Sequence, residues 1–229
     1  MTNQNHEARR KAVVDRIESA CLDSGRDPGE VRLLAVSKKQ PIEAIRALQR
    51  CGQHAFGESY VDEALEKIAA LAEPRPEWHF IGPIQSNKTR AIAGHFDWVH
   101  SIDRAKAIRR LADQRPADRG PLNVLIQVNL DDETGKAGCA PESIDELAGL
   151  VAERPELALR GLMAIPAERH SRADQLGVFE RLREYFDQLA AGHPGIDTLS
   201  AGMSGDLEAA IAAGSNLVRV GTALFGPRE

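Results

Sequence analysis

Three groups of residues in this 229-residue chain have types and spacing that could do chemistry. Lys38 follows the apolar run Leu33-Leu34-Ala35-Val36 with only Ser37 between. A lysine at the end of a buried strand projects its ammonium beside a hydrophobic wall, where desolvation lowers the pKa and frees the amine to attack a carbonyl. Farther along, Gly202-Met203-Ser204-Gly205-Asp206 precedes a helical pattern at Leu207 to Ala213, and Gly221-Thr222 follows Leu217 to Val220. Small residues let a backbone approach an anion, and free N–H groups at a helix start favour phosphate. Arg219 lies between Val218 and Val220, and strand alternation puts it on the face opposite theirs. Two partners are open to it: a carboxylate such as Glu58, or a ring atom of a ligand. A reactive lysine together with a phosphate cup suits a phosphorylated aldehyde held as an imine, and pyridoxal 5′-phosphate (PLP) fits that description. A class I aldolase would also use such a lysine, usually on a later strand. Lys39 points to the other side of the strand and is expected in solvent.

These residues need elements to position them. Eight short β-rich runs alternate with helical patterns: Val31 to Ser37, His54 to Gly57, Trp78 to Ile81, Trp98 to Ser101, Asn123 to Asn129, Leu159 to Met163, Thr198 to Ser200, and Leu217 to Val220. Between them, apolar residues recur at three and four, as in Ile42, Ile45, Leu48 and in Leu176, Phe179, Leu182, Phe186. Pro41 and Pro141 suit first helical positions, Gly52, Gly192 and Gly214 suit left-handed positions after helices, and Asp103 suits a cap. Eight strands are the number that closes a (β/α)8 TIM barrel. The residues after Val220 are too few for the usual last helix, but the amphipathic stretch Glu7 to Leu22, with Val13, Val14, Ile17 and Cys21 on one side, can fill its place. One domain, residues 1–229, is expected. In such a barrel chemistry sits at the C-terminal strand ends, which gathers Lys38, Glu58-Ser59, Gly82-Pro83, Met163, Ser204, Arg219 and Thr222 at one mouth.

Composition removes other classes. With 29 basic against 34 acidic residues the net charge is −5, which lacks the basic excess that holds nucleic acid or anionic lipid. The polar start, Met1 to Glu7, has no apolar leader segment, and no run approaches the length of a membrane span. A cytoplasmic monomer is expected. Cys21, Cys51 and Cys139 form no C-x-x-C pair, and the seven histidines include no H-E-x-x-H, so neither disulfide framework nor metal site is expected.

Six segments in order resemble the PLP homeostasis protein family over essentially the whole chain. They are Leu33 to Lys38, Phe56-Gly57-Glu58, Trp78 to Lys88, Gly161 to Ile165, Leu199 to Ser204, and Val218 to Thr222. The resemblance implies a barrel similar to the N-terminal domain of bacterial alanine racemase, with PLP joined as an imine to Lys38. It further implies phosphate held by Ser204, Gly221 and Thr222, Arg219 facing the pyridine nitrogen, and Met163 and Ser59 near the cofactor. The family usually shows Gly-Glu-Asn-Tyr where this chain reads Gly57-Glu58-Ser59-Tyr60, so a contact of the amide is lost or replaced by a shorter hydroxyl. His79 is expected either to line the pocket near the ring or to sit in the core; Lys136 is expected in solvent.

An imine alone only stores the aldehyde, whereas turnover needs placed acid and base groups and a closed site. The resemblance sets this chain, which ends at Glu229, beside racemases that obtain a second base from another domain. Tyr60 and Tyr185 both fall in helical patterns, and an arginine at the ring nitrogen weakens the electron sink. The expected role is therefore a PLP carrier or buffer that supplies apo PLP-dependent enzymes. The alternatives are a PLP racemase or lyase of narrow range, and a phosphate-binding barrel enzyme without PLP.

Overall fold

The computed structural model describes residues 3–131, 135 and 137–226. Eight strands alternate with helices along the chain: β1 (Arg32–Val36), β2 (Ala55–Glu58), β3 (Glu77–Phe80), β4 (Trp98–Ile102), β5 (Leu122–Val128), β6 (Leu157–Ala164), β7 (Thr198–Ser200) and β8 (Leu217–Val220). Each pairs in parallel with the next, and β8 returns to β1 with Leu34 opposite Arg219 and Ala35 opposite Val220, so the sheet closes into a barrel. Every expected strand is present, with ends displaced by no more than two residues; β6 extends furthest, starting at Leu157. Among the described residues closure leaves no strand edge unpaired.

Helices cover the outside: α1 (Asn3–Asp23), α2 (Ile42–Arg50), α3 (Val61–Ala70), α4 (Thr89–His95), α5 (Ala105–Gln114), α6 (Ile144–Ala152), α7 (Arg172–Gly192), α8 (Leu207–Ala212) and the single turn α9 (Thr222–Phe225). Because α9 is so short, α1 buries Val13, Ile17 and Cys21 and packs against α2, α8 and α9, in the place expected for it. Strand β5 shows how alternation divides two cores. Val124, Ile126 and Val128 join the large apolar layer under the helices, while Leu125 meets Trp98 and Met163 inside the barrel. The barrel interior is mixed in character, for His79, His100, Ser200 and Arg219 are buried as well.

Local punctuation differs from expectation at three places. Pro41 is the residue before α2 rather than its first, whereas Pro141 does stand first, in a 3-10 turn leading into α6. Gly52 and Gly214 take φ of 84° and 98° after α2 and α8, but Gly192 is still helical and the left-handed residue is Gly195. Helix α7 simply continues through Gly192, and the turn into β7 follows it. Asp103 does not cap α5: its Oδ1 accepts from Arg104 Nη1 at 2.5 Å, and a carboxylate held by a neighbouring guanidinium is turned away from the helix amides. Among the described residues no helix is long and apolar enough to cross a membrane, and no three His, Cys, Asp or Glu side chains cluster as metal ligands.

Candidate functional site

Lys38 leaves the barrel two residues beyond β1 and is half-buried. It stands on the wall of a cavity of about 490 Å³ together with Ser59, Tyr60, Gly82, Gln127 and Ile165. Pairing explains the grouping: Val36 lies opposite Gly57, so Lys38 and Ser59 emerge from adjacent strands at the same height. Gly82 follows β3 where a Cβ would collide with the Ser59 carbonyl, so only glycine lets the two loops meet. Lys39 is exposed, as expected, in a left-handed conformation with φ of 62°. Its backbone N–H donates to Glu63 Oε1 at 2.5 Å and its Nζ lies 5.8 Å from the Tyr60 ring centre.

The Lys38 turn is held from below by a buried polar cluster that the sequence reading missed. Lys67 on α3 donates from Nζ to the Ser37 carbonyl at 2.7 Å, to Glu58 Oε1 at 2.8 Å and to Glu63 Oε1 at 2.5 Å. Ser37 Oγ donates to the same Glu58 oxygen at 2.6 Å. Burial pushes the Glu58 carboxyl upward against the opposing pull of Lys67. A signal was available, because Glu63 and Lys67 stand at i and i+4 with Lys67 on the apolar stripe of α3. The possible pair of Arg219 with Glu58 is thereby corrected: Glu58 belongs to Lys67.

Arg219 is enclosed in the barrel by neutral oxygens. Its Nη1 donates to the Ser200 carbonyl and to Ser200 Oγ, both at 2.7 Å, and Nη2 donates to the Ala164 carbonyl at 2.8 Å. Burial draws the guanidinium down to about 10, so it stays charged at neutral pH.

The loops after β7 and β8 are built as a backbone cradle. Gly202 has φ of 92°, its carbonyl accepts from Arg219 N at 2.9 Å, and a Cβ there would stand 2.7 Å from Ala210 Cβ. Asp206 Oδ1 closes the turn by accepting from Met203 N at 2.6 Å. Ser204 is half-buried and its carbonyl accepts from Arg16 Nη2 at 3.0 Å, an arginine also paired with Glu208. Gly221 and Thr222 open α9, and since β8 pairs with β1 they emerge beside the Lys38 turn.

Other expected residues lie elsewhere. His79 does not line the pocket; it is fully buried between Glu77 and His100 and stacks on Trp98 at a ring separation of 5.4 Å. It faces inward because residues of β3 alternate and Trp78 and Phe80 take the outer layer. Met163 is fully buried in the barrel with Trp98 and Leu125. Tyr60 is not within a helix but immediately precedes α3, half-exposed on the cavity wall. Lys136 lies outside the described residues.

Residues 22–229 match the model of the alanine racemase N-terminal domain. The pyridoxal phosphate homeostasis protein of Pseudomonas aeruginosa is 55% identical over 217 residues, covering 95% of this chain and 93% of that protein. Its namesake from Vibrio cholerae is 52% identical over 221 residues, with coverage of 95% and 94%. Among solved structures, PipY of Synechococcus elongatus with PLP bound superposes with a TM-score of 0.81 at 35% identity, covering 93% of this chain and 100% of that one. Fold, motifs and full-length identity agree that the chain belongs to the alanine racemase N-terminal domain family and, within it, to the pyridoxal phosphate homeostasis proteins.

Proposed function

We propose that this protein binds PLP at the barrel mouth and serves PLP homeostasis as a carrier or buffer. The observation that carries the reading is Lys38, half-buried on the wall of a cavity large enough for the cofactor, in a chain more than half identical to proteins named for PLP homeostasis. When bound, PLP supplies an aldehyde that condenses with an amine, and Lys38 Nζ would hold it as an imine. Ser204, Gly221 and Thr222 would hold the phosphate, with Ser59 at the cavity wall and Met163, packed with Trp98 and Leu125, near the cofactor. The residues present fit this group: a Cβ at Gly221 would stand in ordinary contact with the Val36 carbonyl at 3.4 Å, and the bare glycine leaves that corner open. Arg219, bonded to carbonyl and hydroxyl oxygens, retains a charge suited to an unprotonated pyridine nitrogen.

Carriage rather than turnover follows from the same residues. A guanidinium at the ring nitrogen opposes its protonation and so weakens carbanion chemistry. A mouth open to water favours release over the water exclusion that such chemistry needs. In this reading residues 1–229 act as one domain, a cytoplasmic monomer that passes PLP to apo enzymes and engages neither nucleic acid nor membrane.

One observation favours the racemase or lyase alternative: Tyr60 stands on the cavity wall and could serve as a second base. Mass spectrometry after borohydride reduction tests the binding reading, with the pyridoxyl mass expected on Lys38. Solvent deuterium exchange at Cα of amino acids separates the roles. No exchange is expected, and exchange dependent on both Lys38 and Tyr60 would establish the enzyme reading.

A further inference from the structure

A line of polar side chains runs through the barrel interior to Arg219, and apart from Arg219 and its Ser200 contact the function proposed above does not use it. At the N-terminal strand ends Arg32 Nη2 donates to Glu77 Oε1 at 2.5 Å. The same oxygen lies 2.6 Å from His79 Nε2, and His79 Nδ1 lies 2.8 Å from His100 Nε2. His100 Nδ1 is 3.1 Å from Ser200 Oγ, which accepts from Arg219 Nη1 at 2.7 Å. His79, His100 and Ser200 have no exposed surface, and Arg219 is 3% exposed. Five strands of the barrel, β1, β3, β4, β7 and β8, each contribute to one continuous path from floor to mouth.

The two ends of the path dictate its proton order. Arg219 can only donate, so Ser200 Oγ accepts from it and offers its own hydrogen to His100 Nδ1. A neutral His100 then carries its proton on Nε2 and donates to His79 Nδ1. His79 in turn carries its proton on Nε2 and donates to Glu77, which as a carboxylate can only accept. Every hydrogen points from Arg219 toward Glu77, and each ring nitrogen is used once. Burial holds both imidazoles below their ordinary value, His100 furthest, so both are neutral at physiological pH. His79 Nδ1 and His100 Nε2, 2.8 Å apart, cannot both carry hydrogen, which excludes a doubly protonated pair.

We propose that Glu77, His79, His100 and Ser200 are positioning residues for Arg219. They form a one-way hydrogen-bond chain, anchored by a carboxylate at the barrel floor, that keeps the Ser200 lone pair on the guanidinium and so fixes its plane beneath the mouth. The link to cofactor binding rests on the reading that Arg219 faces the pyridine ring. The proton order does not. Ser200 is the switch in this arrangement. Were His100 to carry its proton on Nδ1, it would donate to the second lone pair of Ser200 Oγ beside Arg219 and turn the Ser200 hydrogen out of the chain.

The experiment is two-bond 1H–15N NMR of the histidine rings in ligand-free, 15N-labelled protein at neutral pH, combined with PLP titration of the same samples. Wild type is expected to show His79 and His100 both neutral and both protonated on Nε2; an Nδ1 tautomer or an imidazolium at either overturns the proposal. Glu77→Leu removes the acceptor for His79 Nε2–H, so both rings are expected to change to the Nδ1 tautomer. PLP is then expected to bind about fivefold more weakly, the scale of one hydrogen bond, with a shifted absorption maximum. Unchanged tautomers or an unchanged spectrum in that variant also overturn it. Ser200→Ala should reproduce the weaker binding and Ser200→Thr, which keeps the hydroxyl, should restore it, a rescue that a purely space-filling role would not give. A wild type with the expected tautomers that takes up no PLP sinks the functional reading and leaves the proton order standing.

Discussion

Lys67 Nζ meets Glu58 Oε1 at 2.8 Å behind the Lys38 turn, with the Lys67 side chain 5% exposed and that of Glu58 fully enclosed. The same ammonium grips the Ser37 carbonyl, so the residue preceding Lys38 is tied to α3 through a buried ion pair. A buried pair of this kind contributes little net stability compared with an apolar replacement, but it is costly to break.

Lys67→Met should therefore destabilise the fold by about 3–5 kcal/mol, because it strands the Glu58 carboxylate in the interior. Adding Glu58→Gln should recover most of that loss. Urea denaturation of the single and double variants measures both; a double variant as unstable as the single would show that Lys67 acts through packing alone.

Lys38→Ala should abolish the borohydride-trapped adduct while changing stability by no more than about 0.5 kcal/mol, as is usual away from the core. Lys39→Ala should leave the adduct intact, since that side chain is exposed beside Tyr60. A pyridoxyl mass of equal occupancy on another lysine would remove the assignment.

Ser204→Ala combined with Thr222→Val should weaken PLP much more than pyridoxal, because only the phosphate would meet those hydroxyls. Each lost bond to a charged group is worth about 1.5–3 kcal/mol. Calorimetric titration with the two ligands reads the difference, and equal weakening of both would place the phosphate elsewhere.

The fold should lose stability as pH falls below about 6.5, the ordinary histidine value. His79 and His100 are held below that value by burial, so the unfolded chain takes up protons first and the native state is penalised. Glu77 adds a second loss at lower pH. Although burial opposes it, bonding to His79 and to Arg32 draws its pKa down to about 2. Its contribution is complete above the ordinary carboxylate value of 4.5 and fades as pH falls toward 2. Urea midpoints measured from pH 8 to pH 4 check the sign. A midpoint that is flat or rises on acidification to pH 5 would show that the two imidazoles titrate normally.

Much of this was legible in the chain alone. Apolar runs such as Val124-Leu125-Ile126, separated by helical periodicity, specify strands buried on two faces, and their number, eight, is one that can close a barrel. The amphipathic stretch before β1 and the few residues beyond β8 were enough to place α1 over the gap. Lys38 and Ser59 were named from strand ends, and the strand register puts both on one cavity wall. These are properties of sequence spacing, and local periodicity carries them.

The partners of the buried charges were decided only by tertiary structure. Alternation states that Arg219 faces inward, yet nothing along the chain says whether it meets Glu58 or the oxygens of Ser200 and Ala164, residues 19 and 55 positions away. Likewise the sequence leaves His79 open between the pocket and the core, because His100 reaches it only through closure of the barrel and the stagger between β3 and β4. Tyr60 was placed in a helix by pattern, and α3 begins one residue later, which leaves its ring on the cavity wall. Side-chain direction along a strand has a period of two and can be read in one dimension. Which polar atoms pair inside a closed barrel depends on shear and rotamer, and those exist only once all eight strands have met.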